Sequence, residues 1–388
     1  MLHSKLKIKR ITINPKSKKK RFIYLDEKNK QINDHETISR IKKLVIPPAY
    51  TDIKIANDSN HYLQAIGIDE KGRKQYIYKK SYVDKQSKNK YCQIKHIGEK
   101  ISEIRKDVRA IMLNDKPISN KEKIIALVIY ILDHCYFRIG NIHYFNEHKS
   151  HGVSTLQVNH LKFKESEVEI EFIGKKGVLN NCVLKDQLSI KMLKELSKLT
   201  QKEARPDNFI FYYTDDNNKL QLIKPLDINI FLNKYHSDIT LKMFRTWGAN
   251  YIFLEEIIKK KKELMEIANL IKNTEKTKNN EDNKSIKKNK KQIKKENDKI
   301  IKEILKTIAM KLHNTPTVSK KSYLDNNLIQ IYLENPKLFW KKINKSKNKD
   351  DLNVLLREFL NKNCGNSNQK TKKNNNQKGG YSFYNFIK

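Results

Sequence analysis

Every side chain from Ile124 to Leu132 is apolar apart from the hydroxyl of Tyr130. A helix with apolar residues all round its circumference must be covered on every side, so this stretch predicts a buried central helix with other helices packed about it. It is far too short to cross a bilayer, and it runs into Asp133-His134. Any fold for this chain has to be built around that segment.

The surrounding sequence supplies the cover. His96 to Leu113, Ile228 to Tyr235, Thr240 to Leu254, Ile300 to Leu312, Leu328 to Leu333 and Leu352 to Leu360 all carry apolar residues at helical spacing. Residues 85–363 are therefore expected to form a mainly α domain. Residues 1–84 have a different texture. Phe22-Ile-Tyr-Leu25 and Tyr62 to Ile68 read as short strands, Asp34 to Leu44 as a helix, and the two prolines after Ile46 force extended chain. The expectation is an α+β protein, with a small β-rich N-terminal domain and a larger helical one. Residues 272–299 are almost wholly Lys, Asn, Glu, Asp and Thr, and they predict a disordered or solvated helical insertion. Residues 364–388, rich in Lys, Asn and Gln, read as a flexible tail.

The chain of 388 residues carries 81 Lys and Arg against 43 Asp and Glu, a formal net charge of +38. Such an excess predicts a polyanionic partner bound through salt-dependent phosphate contacts, nucleic acid first and an acidic membrane surface second. The cysteines, Cys92, Cys135, Cys182 and Cys364, form no C-x-x-C pair. Neither a zinc site nor a disulfide framework is expected, in keeping with a reducing compartment. The N-terminus lacks the apolar run of a secretion signal, and the reading is a soluble intracellular protein. No phosphate-binding glycine loop points to a nucleotide cofactor.

Within this frame a few residues could carry chemistry, each with an ordinary structural alternative. Arg138, delivered by the buried segment in Phe137-Arg-Ile-Gly-Asn141, suits a fixed two-pronged phosphate clamp or a helix-end ion pair. The pair Lys175-Lys176 sits between Gly174 and Gly177 at the predicted tip of a hairpin, Val168 to Leu184. A lysine there can reach a leaving oxygen, or simply be a solvated turn. Lys242 and Arg245 lie three apart on one helical face, with the small pair Gly248-Ala249 beyond them. His313 and Tyr323 frame Pro316 and several hydroxyl and lysine residues, an arrangement that fits a phosphoryl-transfer nucleophile or a basic loop entering a helix. In the N-terminal region, Gln75, Tyr76 and Tyr78 follow the turn Asp69-Glu-Lys-Gly-Arg73; they could meet DNA or line an exposed strand.

Taken together, Arg138 in F-R-I-G-N, Lys175 in F-I-G-K, Arg245 in K-x-F-R-T-W and the His313/Tyr323 pair stand in an order that resembles the type IB DNA topoisomerases, in particular their poxvirus-like branch. The N-terminal I-P-P-A-Y and D-E-K-G-R-K-Q-Y-I-Y segments resemble it too, so that the likeness runs from about residue 20 to 363. The resemblance implies a clamp around double-stranded DNA and a monomer that needs no cofactor, metal or membrane. It implies Tyr323 as nucleophile, Arg138, Arg245 and His313 on the phosphate oxygens, and Lys175 as general acid, with Lys242 assisting. It also places Gln75, Tyr76 and Tyr78 in the major groove. A viral member would work in a virion, a viral factory or a nucleus. Lys176 stands where related sequences often have an acidic residue. A tyrosine recombinase shares the residue set but normally has H-x-x-R where this chain has Lys242-Met-Phe-Arg245; a non-enzymatic packaging protein would account for the charge alone.

Overall fold

A computed structural model describes residues 5–13, 21–205, 207–261, 263, 266, 283–334, 336–343 and 349–361. Residues 272–282 of the expected insertion and the whole of the expected tail lie outside them. The chain divides into two compact units, the first reaching Lys90 and the second starting at Tyr91.

The N-terminal unit is a five-stranded antiparallel sheet with one helix. Its elements are β1 (Ile8–Ile13), β2 (Arg21–Leu25), α1 (His35–Lys43), β3 (Thr51–Ile55), β4 (Leu63–Ile68) and β5 (Lys74–Tyr78), in the sheet order β2-β1-β3-β4-β5. α1 begins where the Asp34 carboxylate accepts the Thr37 N–H, an N-cap that satisfies one of the first-turn donors. Its Ile41 packs with Ile8, Tyr24, Ile53, Ile55 and Ala65 into the unit's core. Period-two burial along β1 explains why one face of the sheet is apolar.

α2 (Lys80–Leu113) starts well before His96, where helical spacing first becomes legible, and it runs unbroken through residue 84. Its first turns carry polar side chains with no apolar stripe, so periodicity was blind to them. From Tyr91 on, Ile94, Ile97, Ile101, Ile104 and Val108 turn inward at three- and four-residue intervals. α3 (Lys121–Cys135) is the central helix that its composition predicts, with residues 124–129 all buried. α2 grips it through Arg105, whose Nε and Nη2 donate to the two oxygens of Asp133 at 2.7 and 3.1 Å.

After α4 (Ile142–His148), the strands β6 (Leu161–Phe163), β7 (Val168–Ile173) and β8 (Leu179–Leu184) form a three-stranded antiparallel sheet. β7 and β8 pair from Val168↔Leu184 to Ile173↔Leu179, which leaves residues 174–178 as the hairpin tip. α5 (Gln187–Lys202), the ribbon β9 (Tyr212–Thr214) and β10 (Leu220–Leu222), and α6 (Pro225–Asn233) lead to α7 (Leu241–Lys259). α7 is buried over most of its length and packs on α3. A side chain at Gly248 would collide with the ring of Tyr136, so this glycine sets how closely the end of α3 approaches α7.

α8 (Asn283–Lys311) is continuous, so residues 283–299 are helical, one of the two states their composition allowed. It becomes a packing helix only at Ile300, Ile301, Ile304, Leu305 and Ile308. The unit is completed by α9 (Pro316–Ser322), α10 (Asn326–Glu334), α11 (Pro336–Ile343) and α12 (Lys349–Asn361). Among the described residues, no helix is long and apolar enough to cross a membrane.

One expectation is overturned. Cys135, at the end of α3, and Cys182, on β8, form a disulfide with Cα atoms 5.6 Å apart. A sequence separation of 47 hid the pairing. It arises because the hairpin docks onto the end of α3, where Phe137 meets Phe172 edge to face at 4.9 Å.

Candidate active site

The end of α3 is where the site begins. Tyr136 closes that helix in the left-handed conformation, with φ of 51° and ψ of 27°. This turns the chain sharply and leaves its carbonyl free to receive Arg245 from α7. Two residues on, the Arg138 carbonyl accepts the Val153 N–H at 3.0 Å, an approach possible because Gly152 has no Cβ to strike Arg138 and Gly140. The Arg138 guanidinium reaches across to Asn314, donating from Nη2 to Oδ1 at 2.6 Å.

Arg245 is 4 % exposed. Its Nη1 donates to the Tyr136 carbonyl and its Nη2 to the Leu312 carbonyl, the latter at 2.7 Å. Its buried Nε–H has no partner among the described residues. Burial pushes its pKa down to about 10, so it still carries its charge at neutral pH. The guanidinium carbon stands 5.2 Å from the centre of the Tyr323 ring.

α8 ends in a Schellman motif. The His313 N–H bonds the Met310 carbonyl at 3.0 Å, and the Asn314 N–H bonds the Ala309 carbonyl at 2.9 Å. The left-handed residue of such a motif is usually glycine; here it is His313, at φ 51°. A β-carbon in that region costs about 1 kcal/mol or more, and it persists where the surroundings over-determine it. The imidazole, 8 % exposed, lies 5.0 Å from the Phe137 ring, with Nε2 3.3 Å from the Cys135 carbonyl. Burial lowers its pKa to about 4, with Arg245 and Arg138 adding to the effect, so the ring is neutral near pH 7. A neutral ring whose Nε2–H faces that carbonyl must redirect the same N–H to serve a phosphate oxygen.

Tyr323 follows α9, whose start is capped by Thr315 Oγ1 accepting the Val318 N–H at 3.3 Å. It is 9 % exposed. Burial by itself would raise the phenol pKa; the charges of Arg245 and Arg138, a hydrogen bond with Arg245 and the charge of Lys242 together outweigh it, and the net shift is downward. The backbone around it is tied by residues that sequence reading missed. Asn250 of α7 donates to the Tyr323 carbonyl at 2.9 Å and accepts the Asp325 N–H at 2.9 Å, while the Tyr91 hydroxyl donates to the Leu324 carbonyl at 2.6 Å. A polar Asn250 inside the apolar run Trp247 to Leu254 was a signal that could have been read, since a buried amide needs partners.

Lys175 sits at the hairpin tip, where Lys176 and Gly177 both have positive φ, 65° and 72°. The residue keeps solvent contact, yet partial burial of its ammonium lowers its pKa, and Arg138, Lys176 and Lys242 lower it further while Tyr323 opposes them. Arg138, Lys175, Lys242, Arg245, His313 and Tyr323 thus form one electrostatic neighbourhood. It places several cations around a buried phenol, a setting for a phosphorus-centred displacement. Lys176 is beside it, but its charge acts only as a neighbour.

Gln75, Tyr76 and Tyr78 belong to the N-terminal unit. Tyr76 and Tyr78 lie 6.4 Å apart with nearly parallel rings, and Tyr82 extends the row at 5.6 Å from Tyr78. The Gln75 amide donates to Asp69 at 2.9 Å, which leaves its second N–H and its carbonyl oxygen for other partners.

One group of metal-ligand types occurs among the described residues. His96, His236 and Asp238 bring ligand atoms within 4.8 Å of one another. The two imidazoles stack at 3.8 Å with planes 13° apart, so their in-plane lone pairs run side by side instead of meeting at an ion. The Asp238 N–H also already points to His236 Nδ1 at 3.2 Å.

Known proteins resemble this chain in the same order. The family described as the catalytic core of eukaryotic DNA topoisomerase I matches residues 74–350, and the N-terminal domain of bacterial DNA topoisomerase IB matches residues 21–69. DNA topoisomerase 1B of Acanthamoeba polyphaga mimivirus is 31% identical over 338 residues, 87% of this chain and 91% of the relative. DNA topoisomerase 1B of Vaccinia virus (strain Copenhagen) is 23% identical over 305 residues, covering 77% and 83%. With alignments that run nearly end to end and motif residues that converge in space, the chain belongs to the type IB DNA topoisomerases.

Proposed function

We propose that this chain relaxes supercoiled duplex DNA by cutting one strand through Tyr323 and resealing it, acting as a monomer. The observation that carries the reading is the phenol of Tyr323, buried and nonetheless lowered in pKa by the cations around it. The Tyr323 oxygen bonds to phosphorus and gives up its proton to solvent. The bond to the 5′-oxygen breaks, and Lys175, an ammonium already lowered in pKa, donates the proton that oxygen takes. Arg138 and Arg245 hold the non-bridging oxygens as they gain charge. Arginine suits that task because it stays protonated. His313 adds a neutral donor, and Lys242 reinforces the field.

The 3′-phosphotyrosyl bond keeps the energy of the phosphodiester it replaces, so resealing is the same reaction run backwards and draws on neither ATP nor a metal. Closure of the two units around the duplex as a clamp, with Gln75, Tyr76 and Tyr78 in the major groove, belongs to the proposal and is supported by the family likeness alone. The division into a DNA-gripping N-terminal part, a catalytic part and a tail belongs to it too. Relaxation of a supercoiled plasmid in EDTA without ATP is the test. A recombinase would act only with a second DNA site, and a packaging protein would leave the linking number unchanged; either result would overturn the reading.

A further inference from the structure

Asn314 takes no part in the chemistry proposed for Tyr323, and its surroundings are unusual. The Schellman motif at the end of α8 fixes its backbone one residue beyond His313. Its Oδ1 takes the Arg138 Nη2–H at 2.6 Å, while its Nδ2 is buried without a partner among the described residues. Flipping the amide would turn its NH2 group toward a guanidinium, donor against donor, so the orientation is set by Arg138. A buried unpartnered N–H lowers stability. The side chain therefore costs the fold something to present one oxygen to one arginine.

We propose that Asn314 is a positioning residue for Arg138, holding its guanidinium plane so that the remaining N–H groups meet the scissile phosphate in one orientation. The inference rests on the assignment of Arg138 to the phosphate. Arg138 follows α3 on a short irregular segment and, unlike Arg245, is not clasped by two backbone carbonyls among the described residues. With the Asn314 oxygen removed, the guanidinium keeps its charge and loses its fixed direction. DNA affinity should persist, and the rate of cleavage should fall.

The test is a double-mutant cycle in single-turnover cleavage, using the full chain and a duplex cut by the wild type. Asn314→Ala should slow cleavage roughly tenfold, the scale of coupling between directly bonded residues, with DNA affinity within twofold of wild type. In an Arg138→Ala background it should slow cleavage no further. Asn314→Leu, close in shape to asparagine, should give the same rates, and Asn314→Asp, which keeps an oxygen acceptor for Arg138, should cleave faster than either. Equal slowing in both backgrounds would overturn the proposal, and so would an Asn314→Asp variant as slow as Asn314→Ala. If Arg138→Ala itself cleaves at the wild-type rate, the phosphate assignment falls and this inference with it. If Arg138→Ala is slow and Asn314→Ala is not, only the positioning role is lost.

Discussion

Arg245 and Lys175 bear the same formal charge and are supported in opposite ways. Arg245 lies in the helical core, with two backbone carbonyls, from Tyr136 and Leu312, holding its η nitrogens. Lys175 stands on the tip of a hairpin, beside a left-handed Lys176, in contact with solvent. A group that stabilises charge on phosphorus gains from immobility, because its donors need no reorganisation when the charge appears. A group that hands over a proton has to approach a departing atom and later take the proton back. The difference suits the core to supplying the field, and the hairpin to supplying the proton, in the reaction proposed for Tyr323.

The largest effect expected is complete. Tyr323→Phe should form no covalent adduct while binding DNA nearly as well as wild type, since only a hydroxyl is lost. Trapping a 3′-linked adduct with this variant would move the nucleophile elsewhere. Next, Arg245→Ala should slow cleavage by roughly a hundredfold to a thousandfold, as removal of one preorganised charge-stabilising donor does. It should stay slow on a substrate whose 5′-bridging oxygen is replaced by sulfur.

Lys175→Ala should slow cleavage by roughly a hundredfold, the range of general acid catalysis, and the 5′-sulfur substrate should restore most of the rate because a thiolate leaves without a proton. Lys176→Ala, one residue along, should be mild. Rescue of Lys176→Ala in place of Lys175→Ala would place the acid one residue further along the tip. If sulfur rescues Arg245→Ala as well as Lys175→Ala, the contrast between field and proton donor collapses.

The disulfide sharpens the same contrast. Cys135 and Cys182 tie the hairpin to the end of α3 across a sequence separation of 47, and a loop of that size stabilises by about 4 kcal/mol in the chain-entropy account. Cys182→Ser should lower the unfolding free energy by up to that amount. Its cleavage defect should shrink on the 5′-sulfur substrate, since the hairpin then has no proton to deliver. An equal defect on both substrates would mean that the disulfide serves the core as well.

The smallest effect concerns pH. His313 has a folded pKa of about 4 against an ordinary 6.5. The unfolded chain binds a proton in that window that the folded chain refuses. Stability should be fully present above pH 6.5 and should fall as the pH drops toward 4, by roughly 1.4 kcal/mol per unit from this one group. His313→Asn should flatten that part of a melting-temperature profile. An unchanged slope would show that the imidazole is not held neutral.

Much of the site is legible in the sequence. Arg138, Lys175, Arg245, His313 and Tyr323 each join a reactive side chain to a local pattern, such as a helix end, a glycine-flanked turn or a helical face, but each has an ordinary structural alternative, and only the resemblance to the type IB DNA topoisomerases singles them out as a set. Gln75, Tyr76 and Tyr78 are legible only as a strand after a turn. Asn250 shows in the sequence only as a polar residue in an apolar run, and Asn314 not at all, because a buried amide declares its role through its partner, and their partners lie 73 and 176 residues away in the chain.

What the amino-acid sequence determined by itself was local and periodic. The apolar circumference of residues 124–132 required a central helix, the alternation in β7 and β8 favoured a hairpin, and the excess of lysine pointed to an anionic partner without establishing one. Helix and strand periods express which faces must leave water, and that can be read along a chain. Tertiary structure alone decided the rest. It put His313 in a left-handed conformation that favours glycine, joined Cys135 to Cys182, pressed Tyr136 onto Gly248, and gathered the charges that bring the Tyr323 phenol below its ordinary pKa. Each of these depends on distances between residues far apart in the chain, and charge and strain act through distance in space, which no local pattern encodes.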